Sequence, residues 1–211
     1  MALQYLQIPL GRMKNFIYIL YDDVTLDAAV VDPAWDVGVI IDRLQEKSLR
    51  LQSILLTHGH FDHVNGLDAL LEFSAVPVYL SNKEVSSLTP SVSGLIRVCE
   101  GDFIDIGNET VQVIHTPGHT PGGQCFYYED TFLIAGDSLF VDGCGRCDLD
   151  NSNVHDMYAS LQRLKQLPDQ IVCLPGHDYG FASLDLLGNQ KKTNQYLTAV
   201  SETEFIALRM G

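Results

Sequence analysis

Residues 57–66 read THGHFDHVNG and place His58, His60, Asp62 and His63 within six positions. They follow LQSILL, an apolar run that reads as a buried strand. On extended backbone, side chains two apart point the same way, so His58 and His60 can grip one metal ion. Asp62 and His63, on the turn that follows, are placed to face a second. Imidazole nitrogen and carboxylate oxygen are ligands that zinc, iron and manganese accept. So many ligand types at this spacing are hard to explain as core or surface filler, and the chain reads as a metalloenzyme.

Working outward, three further segments share one local grammar: an apolar strand, then a glycine turn presenting a polar side chain. VIHTPGHT presents His119, FLIAGDSLF presents Asp137 and IVCLPGHDYG presents His177. Turns at strand ends are where rigid scaffolds expose catalytic groups, and Gly118, Gly136 and Gly176 leave room for sharp turns and close approach. Five histidines and two aspartates suffice for two metal sites with one shared carboxylate. His115, just before a proline turn, reads as structural, and His155 as a solvated helix residue. Tyr179 reads equally as a hydroxyl donor at the substrate or as a packed aromatic.

Ten strand-like runs, at 3–8, 16–21, 28–31, 51–56, 77–80, 103–106, 110–115, 123–128, 131–135 and 171–174, are short, β-branched or aromatic, and bounded by turn residues. Helical periodicity covers 36–47 (Val37, Ile40, Ile41 and Leu44 on one face), 66–73 and 154–167 (Asn153 as cap; Met157, Leu161 and Leu164 as stripe). Ser201 and Glu204 have capping-box spacing at the start of a last helix. Strands in two stretches with helices interspersed predict two sheets covered by helices rather than a simple alternation. The 211 residues, 46% of them hydrophobic, fit a single domain over 1–211 with a sizeable core.

The formal net charge of −14 argues against a broad nucleic-acid or anionic-membrane surface. No apolar run is long enough for a membrane span, and the N-terminus lacks the pattern of a leader. Five cysteines without a disulfide-scaffold pattern are read as reduced thiols of a cytoplasmic protein. Cys144 and Cys147 form a CxxC, but in a glycine-rich loop rather than the strand-to-helix setting of a redox site.

HxHxDH, TPGHT, GDSLF and PGHDYG, in this order and spacing, resemble the metallo-β-lactamase superfamily. GCGR (143–146) and the HxY at 177–179 are similar to its glyoxalase II (hydroxyacylglutathione hydrolase) and persulfide dioxygenase branch. The resemblance implies an α/β (α+β) fold, a four-layer αβ/βα sandwich with metals in a cleft at one edge. By motif position it implies that His58, His60 and His119 hold one metal, that Asp62, His63 and His177 hold the other, and that Asp137 bridges them. The implied cofactors are two divalent ions, zinc first, with iron or manganese as alternatives.

A hydroxide shared by two such ions would be a nucleophile needing no serine or cysteine, with Asp62 orienting it and moving its proton. A thiolate leaves without strong acid assistance because thiol pKa values lie near about 8–9. The leading expectation is therefore hydrolysis of a small-molecule thioester such as an acylglutathione, with lactones and carrier-protein thioesters as further options. Two departures bear on this. The long helical C-terminal domain of glyoxalase II is not expected in residues 178–211, and CDLD (147–150) replaces its usual continuation after GCGR. Arg146, Lys191 and Lys192 are the nearest candidates to grip a substrate carboxylate. The alternative is an oxidoreductase: GCGRCD resembles the GCGR-x-D signature of persulfide dioxygenases, in which one iron, at positions matching His58, His119 and Asp137, activates oxygen for glutathione persulfide. A metal-binding protein without turnover is the third class. Loops at 82–100 and 140–153 are expected to shape the pocket, and a homodimer is an open expectation.

Overall fold

The computed structural model describes residues 2–84, 92 and 94–211. Along the chain run β1 (Leu3–Leu10), β2 (Asn15–Asp22), β3 (Asp27–Val31), α1 (Val37–Glu46), β4 (Arg50–Leu55), α2 (Phe61–Val64), α3 (Leu67–Phe73), β5 (Val78–Ser81) and β6 (Leu95–Val98). These six strands form one sheet in sequence order. β1, β2 and β3 pair antiparallel, and β3 to β6 pair parallel. The second half comprises β7 (Phe103–Ile106), β8 (Glu109–His115), β9 (Gln124–Tyr128), β10 (Phe132–Gly136), β11 (Leu139–Phe140), β12 (Gly143–Cys144), α4 (Val154–Leu164), β13 (Val172–Pro175), β14 (Asp185–Leu186), α5 (Leu187–Thr193), α6 (Gln195–Thr198) and α7 (Glu202–Met210). Here the sheet order is β14-β13-β10-β9-β8-β7, and β11 pairs with β12 as a small ribbon.

Three apolar cores separate four layers, because side chains alternate across each strand. On β2, Ile17 and Ile19 face the helix-covered core with Ile40 and Leu44 of α1 and Leu70 of α3. Phe16, Tyr18 and Leu20 face the other way, into the core between the sheets, where they meet Phe126, Phe132 and Ile134. On β10, Leu133 and Ala135 then point into a third core with Met157, Leu161 and Leu164 of α4 and Phe205 of α7. The two-sheet expectation and the αβ/βα layering hold. Among the described residues no helix is long and apolar enough to cross a membrane.

The predicted strands all appear, shifted by a residue or two at most. β6 escaped prediction because its residues alternate poorly, with Ile96 and Arg97 both exposed at the sheet edge. The expected helix at 154–167 ends at Leu164, since Pro168 disfavours helical backbone before it. Asn153 caps α4 by accepting from the amides of His155 and Asp156. Ser201 accepts from the Glu204 amide, but the Glu204 carboxylate reaches one residue further back, to Val200, so only half of the capping box forms. α5 was missed because LGNQKKT has little apolar period. It forms because Leu187 is buried in the third core and Gly188 packs so close to Asp169 that a Cβ there would lie 2.7 Å from that residue's Cβ.

The sheets are joined at one end by backbone bonds. Phe16 N donates to Gly176 O (2.8 Å), Asp178 N to Lys14 O (2.8 Å) and Gln124 N to Thr57 O (2.9 Å). At the far end buried Asp22 links the halves. Its carboxylate accepts from Val24 N (2.8 Å) in its own turn and from Asn108 N (2.8 Å) in the β7–β8 turn. These donors, Asn108 first, hold its carboxyl below the usual range. Its contribution to stability is therefore complete above the unfolded-state pKa of about 3.9 and is lost as pH falls through the lower folded value. Asp22→Ala should lower the melting temperature at pH 7, and the gap from wild type should narrow as pH drops toward about 3. A gap independent of pH would contradict this account.

Candidate metal centre

β8, β10 and β13 run in the same direction, since β8 and β10 both lie antiparallel to β9 and β13 lies parallel to β10. Their C-terminal ends therefore share an edge, and the turns after them carry His119, Asp137 and His177. The segment after β4 brings His58 and His60, and the single turn of α2 brings Asp62 and His63. All seven sequence-predicted ligands meet at this edge.

His58 Nε2 lies 3.1 Å from His60 Nδ1, which lies 2.9 Å from His119 Nε2. His63 Nε2 lies 3.2 Å from His177 Nε2, and Asp62 Oδ2 is 3.4 Å from His177 Nε2. The ligand atoms of each triad, His58–His60–His119 and Asp62–His63–His177, fall within 4.8 Å of one another. Asp137 stands between the triads, with Oδ2 3.4 Å from His119 Nε2 and from His177 Nε2, and Oδ1 3.4 Å from His63 Nε2.

The ring nitrogens turned outward explain why the inner ones converge. His119 Nδ1 donates to Arg146 O (2.9 Å), His177 Nδ1 to Met13 O (2.9 Å) and His63 Nδ1 to Asp32 Oδ2 (2.9 Å). Thr57 Oγ1 donates to Asp32 Oδ2 (2.6 Å) and accepts from His58 Nδ1 (3.0 Å). Each of these bonds to Nδ1 turns Nε2 of the same ring toward the centre, the arrangement that second partners impose on metal-bound histidines. Asp32 could be grouped with His58 and His63 as a ligand triad. Its oxygens are instead taken up by the Thr57 amide, the Thr57 hydroxyl and the His63 ring, so it orients rather than ligates.

The residues fit a pair of divalent cations. Facing imidazole lone pairs about 3 Å apart repel each other unless a cation lies among them, and zinc takes such nitrogens in a tetrahedron. Asp137 Oδ1 is buried without a hydrogen-bond partner, a costly state for a carboxylate that a cation relieves. Burial pushes His60 down to about 4, so this ring is a neutral donor at neutral pH. Burial alone would raise the Asp137 carboxyl, but His63 and His177 hold it well below its ordinary value. Two glycines make the crowding feasible. Gly136 turns the chain at φ +49°, and a Cβ on Gly176 would sit 2.4 Å from Asp137 Oδ1.

Several supporting residues were not foreseen. Asn15 donates to Asp62 Oδ2 (3.0 Å) and to Asp62 O (3.0 Å), and is itself held by Trp35 Nε1 (2.7 Å). Asp32 and Trp35 adopt left-handed backbone, φ +53° and +66°, in the loop that braces this network. The sequence signal for it was slight: a lone tryptophan in DPAW. Glu84, buried, accepts from Thr120 Oγ1 (2.8 Å) and from the amides of Gly59 and Gly122, tying the His58–His60 segment to the His119 turn. Burial keeps its carboxyl above the usual range despite these donors.

A cleft of about 460 Å³ opens over the cluster, walled by Met13, Phe61, Phe140, Leu149 and Tyr179 with Arg146 and Asp150. A larger hollow of about 620 Å³ beside Phe103 and Tyr128 contains none of the predicted ligands. Of the three candidate substrate cations only Arg146 lies at the cleft. Its guanidinium is doubly bonded to Asp148, Nε to Oδ1 (2.9 Å) and Nη2 to Oδ2 (2.8 Å). Lys191 is elsewhere, held by Leu167 O and Asp169, and Lys192 lines a separate hollow with Asp142 and Phe181. Proximity in sequence to His177 misled here, because α5 packs on the helical layer away from the metals. Tyr179 stacks on His177 at 4.6 Å and 4°. His115 donates to Pro121 O (3.0 Å) as a structural residue, while His155 pairs with Glu202 (2.9 Å) rather than being merely solvated. Cys144 and Cys147 are buried in the third core, and burial pushes their thiols up to about 12 and about 11. The 140–153 loop does shape the cleft. Residues 85–91 and 93 of the other expected loop lie outside those described.

Comparison with known proteins agrees with this geometry. A sequence profile described as the Metallo-beta-lactamase superfamily matches residues 14–177. A probable polyketide biosynthesis zinc-dependent hydrolase of Bacillus subtilis (strain 168) is 34% identical over 196 residues, covering 92% of this chain and 87% of that one. A hydroxyacylglutathione hydrolase of Bdellovibrio bacteriovorus is 37% identical over 183 residues, covering 85% and 70%. The crystal structure of ETHE1 from Myxococcus xanthus matches with a TM-score of 0.88 at 30% identity, covering 99% of this chain and 90% of that one.

Two substitutions separate ligand from support. Asp137→Ala should abolish binding of at least one ion, and unchanged metal stoichiometry would refute the shared-carboxylate role. Glu84→Ala, which leaves every ligand in place, should weaken metal affinity by about tenfold, the low end for loss of an outer-shell partner. Chelator competition on the purified variants reads both.

Proposed function

The chain belongs to the Metallo-beta-lactamase superfamily, and from that premise we propose that it is a metal-dependent hydrolase of acyl thioesters. One observation carries the reading: His58, His60, His119, Asp62, His63 and His177 gather in two triads around the unpartnered oxygen of Asp137, at the floor of an open cleft. Bound there, a pair of divalent ions supplies Lewis acidity and a water acidic enough to ionise near neutral pH.

The chain's own groups do the rest. Asp62 has one oxygen held by Asn15, which leaves the other to orient the attacking water and take its proton. Tyr179, fixed by stacking on His177 and by edge contact with Phe140 at 5.5 Å, offers a hydroxyl to the substrate carbonyl as charge develops on oxygen. The apolar wall displaces water from the scissile bond. No strong general acid is needed if the leaving group is a thiolate. Zinc is the first expectation for the metal pair, in line with the zinc-dependent relative.

A second reading has its own support. Arg146 and Asp148, the two charged residues of the GCGR-x-D resemblance, are bonded to each other, and ETHE1 overlies nearly the whole chain. Under that reading the protein is an iron-dependent oxidoreductase of glutathione persulfide. Metal analysis of the purified protein, paired with thiol release after reconstitution of stripped protein with zinc, separates the two. Two metals per chain and metal-dependent thiol release are expected. One iron per chain with oxygen uptake on glutathione persulfide would overturn the hydrolase reading.

A further inference from the structure

The cleft's wall is largely apolar, and beyond the metal ligands its charged side chains are Arg146 and Asp150. Phe61 and Tyr179 remain 69% and 55% exposed beside the metal ligands, continuous with Met13, Phe140 and Leu149. Exposed aromatic surface next to a reactive centre is surface waiting for an apolar ligand. Arg146 is the one lysine or arginine among the described residues lining the cleft, and Asp148 holds the Nε–Nη2 edge of its guanidinium and offsets its charge. Asp150 adds an acidic group to the same wall. Arg12, in the turn that carries Met13, lies over the Trp35 ring at 5.9 Å and does not line the cleft. Residues 85–91 and 93, whatever their position, read VSSLTPS and Ser and hold no cation. The chain as a whole carries −14.

A glutathione thioester brings two carboxylates and one ammonium, hence net negative charge, to this wall. Each carboxylate would need a cation that is free to pair, and the long-range field opposes the approach. An acyl chain on a neutral thiol meets no such opposition and buries its methylenes against Phe61, Leu149 and Met13. Resting on the thioester reading above, we infer that the cleft selects thioesters with an extended apolar acyl chain on an uncharged thiol arm, and discriminates against glutathione conjugates.

Three probes resolve the terms on the zinc-reconstituted full chain: hexanoyl-N-acetylcysteamine, acetyl-N-acetylcysteamine and hexanoylglutathione. We expect kcat/KM for the hexanoyl neutral thioester to exceed each of the others by at least about tenfold. The gap from hexanoylglutathione should shrink as salt screens the field. Phe61→Ala, at an exposed position, should cut the hexanoyl-to-acetyl ratio by about threefold or more, and Phe61→Leu should restore most of it. Asp148→Asn, which releases the Arg146 guanidinium, should move the ratio toward hexanoylglutathione several-fold. Equal or better turnover of hexanoylglutathione, or no chain-length preference, overturns the inference while leaving the thioester reading standing. No metal-dependent thiol release from any of the three overturns both.

Discussion

Imidazole lone pairs pointed at one another are the constraint around which this molecule is organised. Ring nitrogens 2.9–3.2 Å apart would rotate away if their rings were free. They stay because four of the five rings are anchored at the opposite edge: His119 by the Arg146 carbonyl, His177 by that of Met13, His63 by Asp32 and His58 by Thr57. The anchors come from both sheets, so the site is rigid only because the sandwich is closed. Backbone bonds from Phe16 to Gly176 and from Gln124 to Thr57 close it at that edge. Fold and site are one mechanical system: β2 packs into two cores along its length and clasps the His177 turn with its first residues.

Much of the layering was legible because buried strands leave a strong imprint. FIYILY and FLIA place large apolar groups on both faces, and both strands are buried between layers. What was not legible depends on neighbours rather than on local pattern. LIRV at 95–98 is a strand because Val78–Ser81 offers it a ladder, not because it alternates. LGNQKKT is a helix because Leu187 and Gly188 find fitted places beside Asp169 and the third core. Propensity yields to tertiary packing in such short segments.

The site shows the same division. Ligands were legible because histidine and aspartate beside glycine turns have few other uses in such number. Their supports were not, since two of the four anchors named above are backbone carbonyls, Met13 and Arg146, which any residue could supply. Asp32 and Asn15 look in sequence like ordinary turn residues and gain meaning only through Thr57, His63, Asp62 and Trp35. Lys191 and Lys192 show the converse. A cation close in sequence to a ligand says little about substrate, because one helix can carry it to another layer.

The cleft's wall and the metal shell are threaded on the same few residues of chain. Phe61 lies between His60 and Asp62, Tyr179 two past His177, and Met13 and Arg146 contribute both side chains to the wall and carbonyls to ligand rings. Lengthening or shortening any of these loops would drag a ligand out of place together with the wall. Lineages built on such an arrangement can explore new substrates by exchanging one side chain for another, whereas insertions in these turns would cost the chemistry itself.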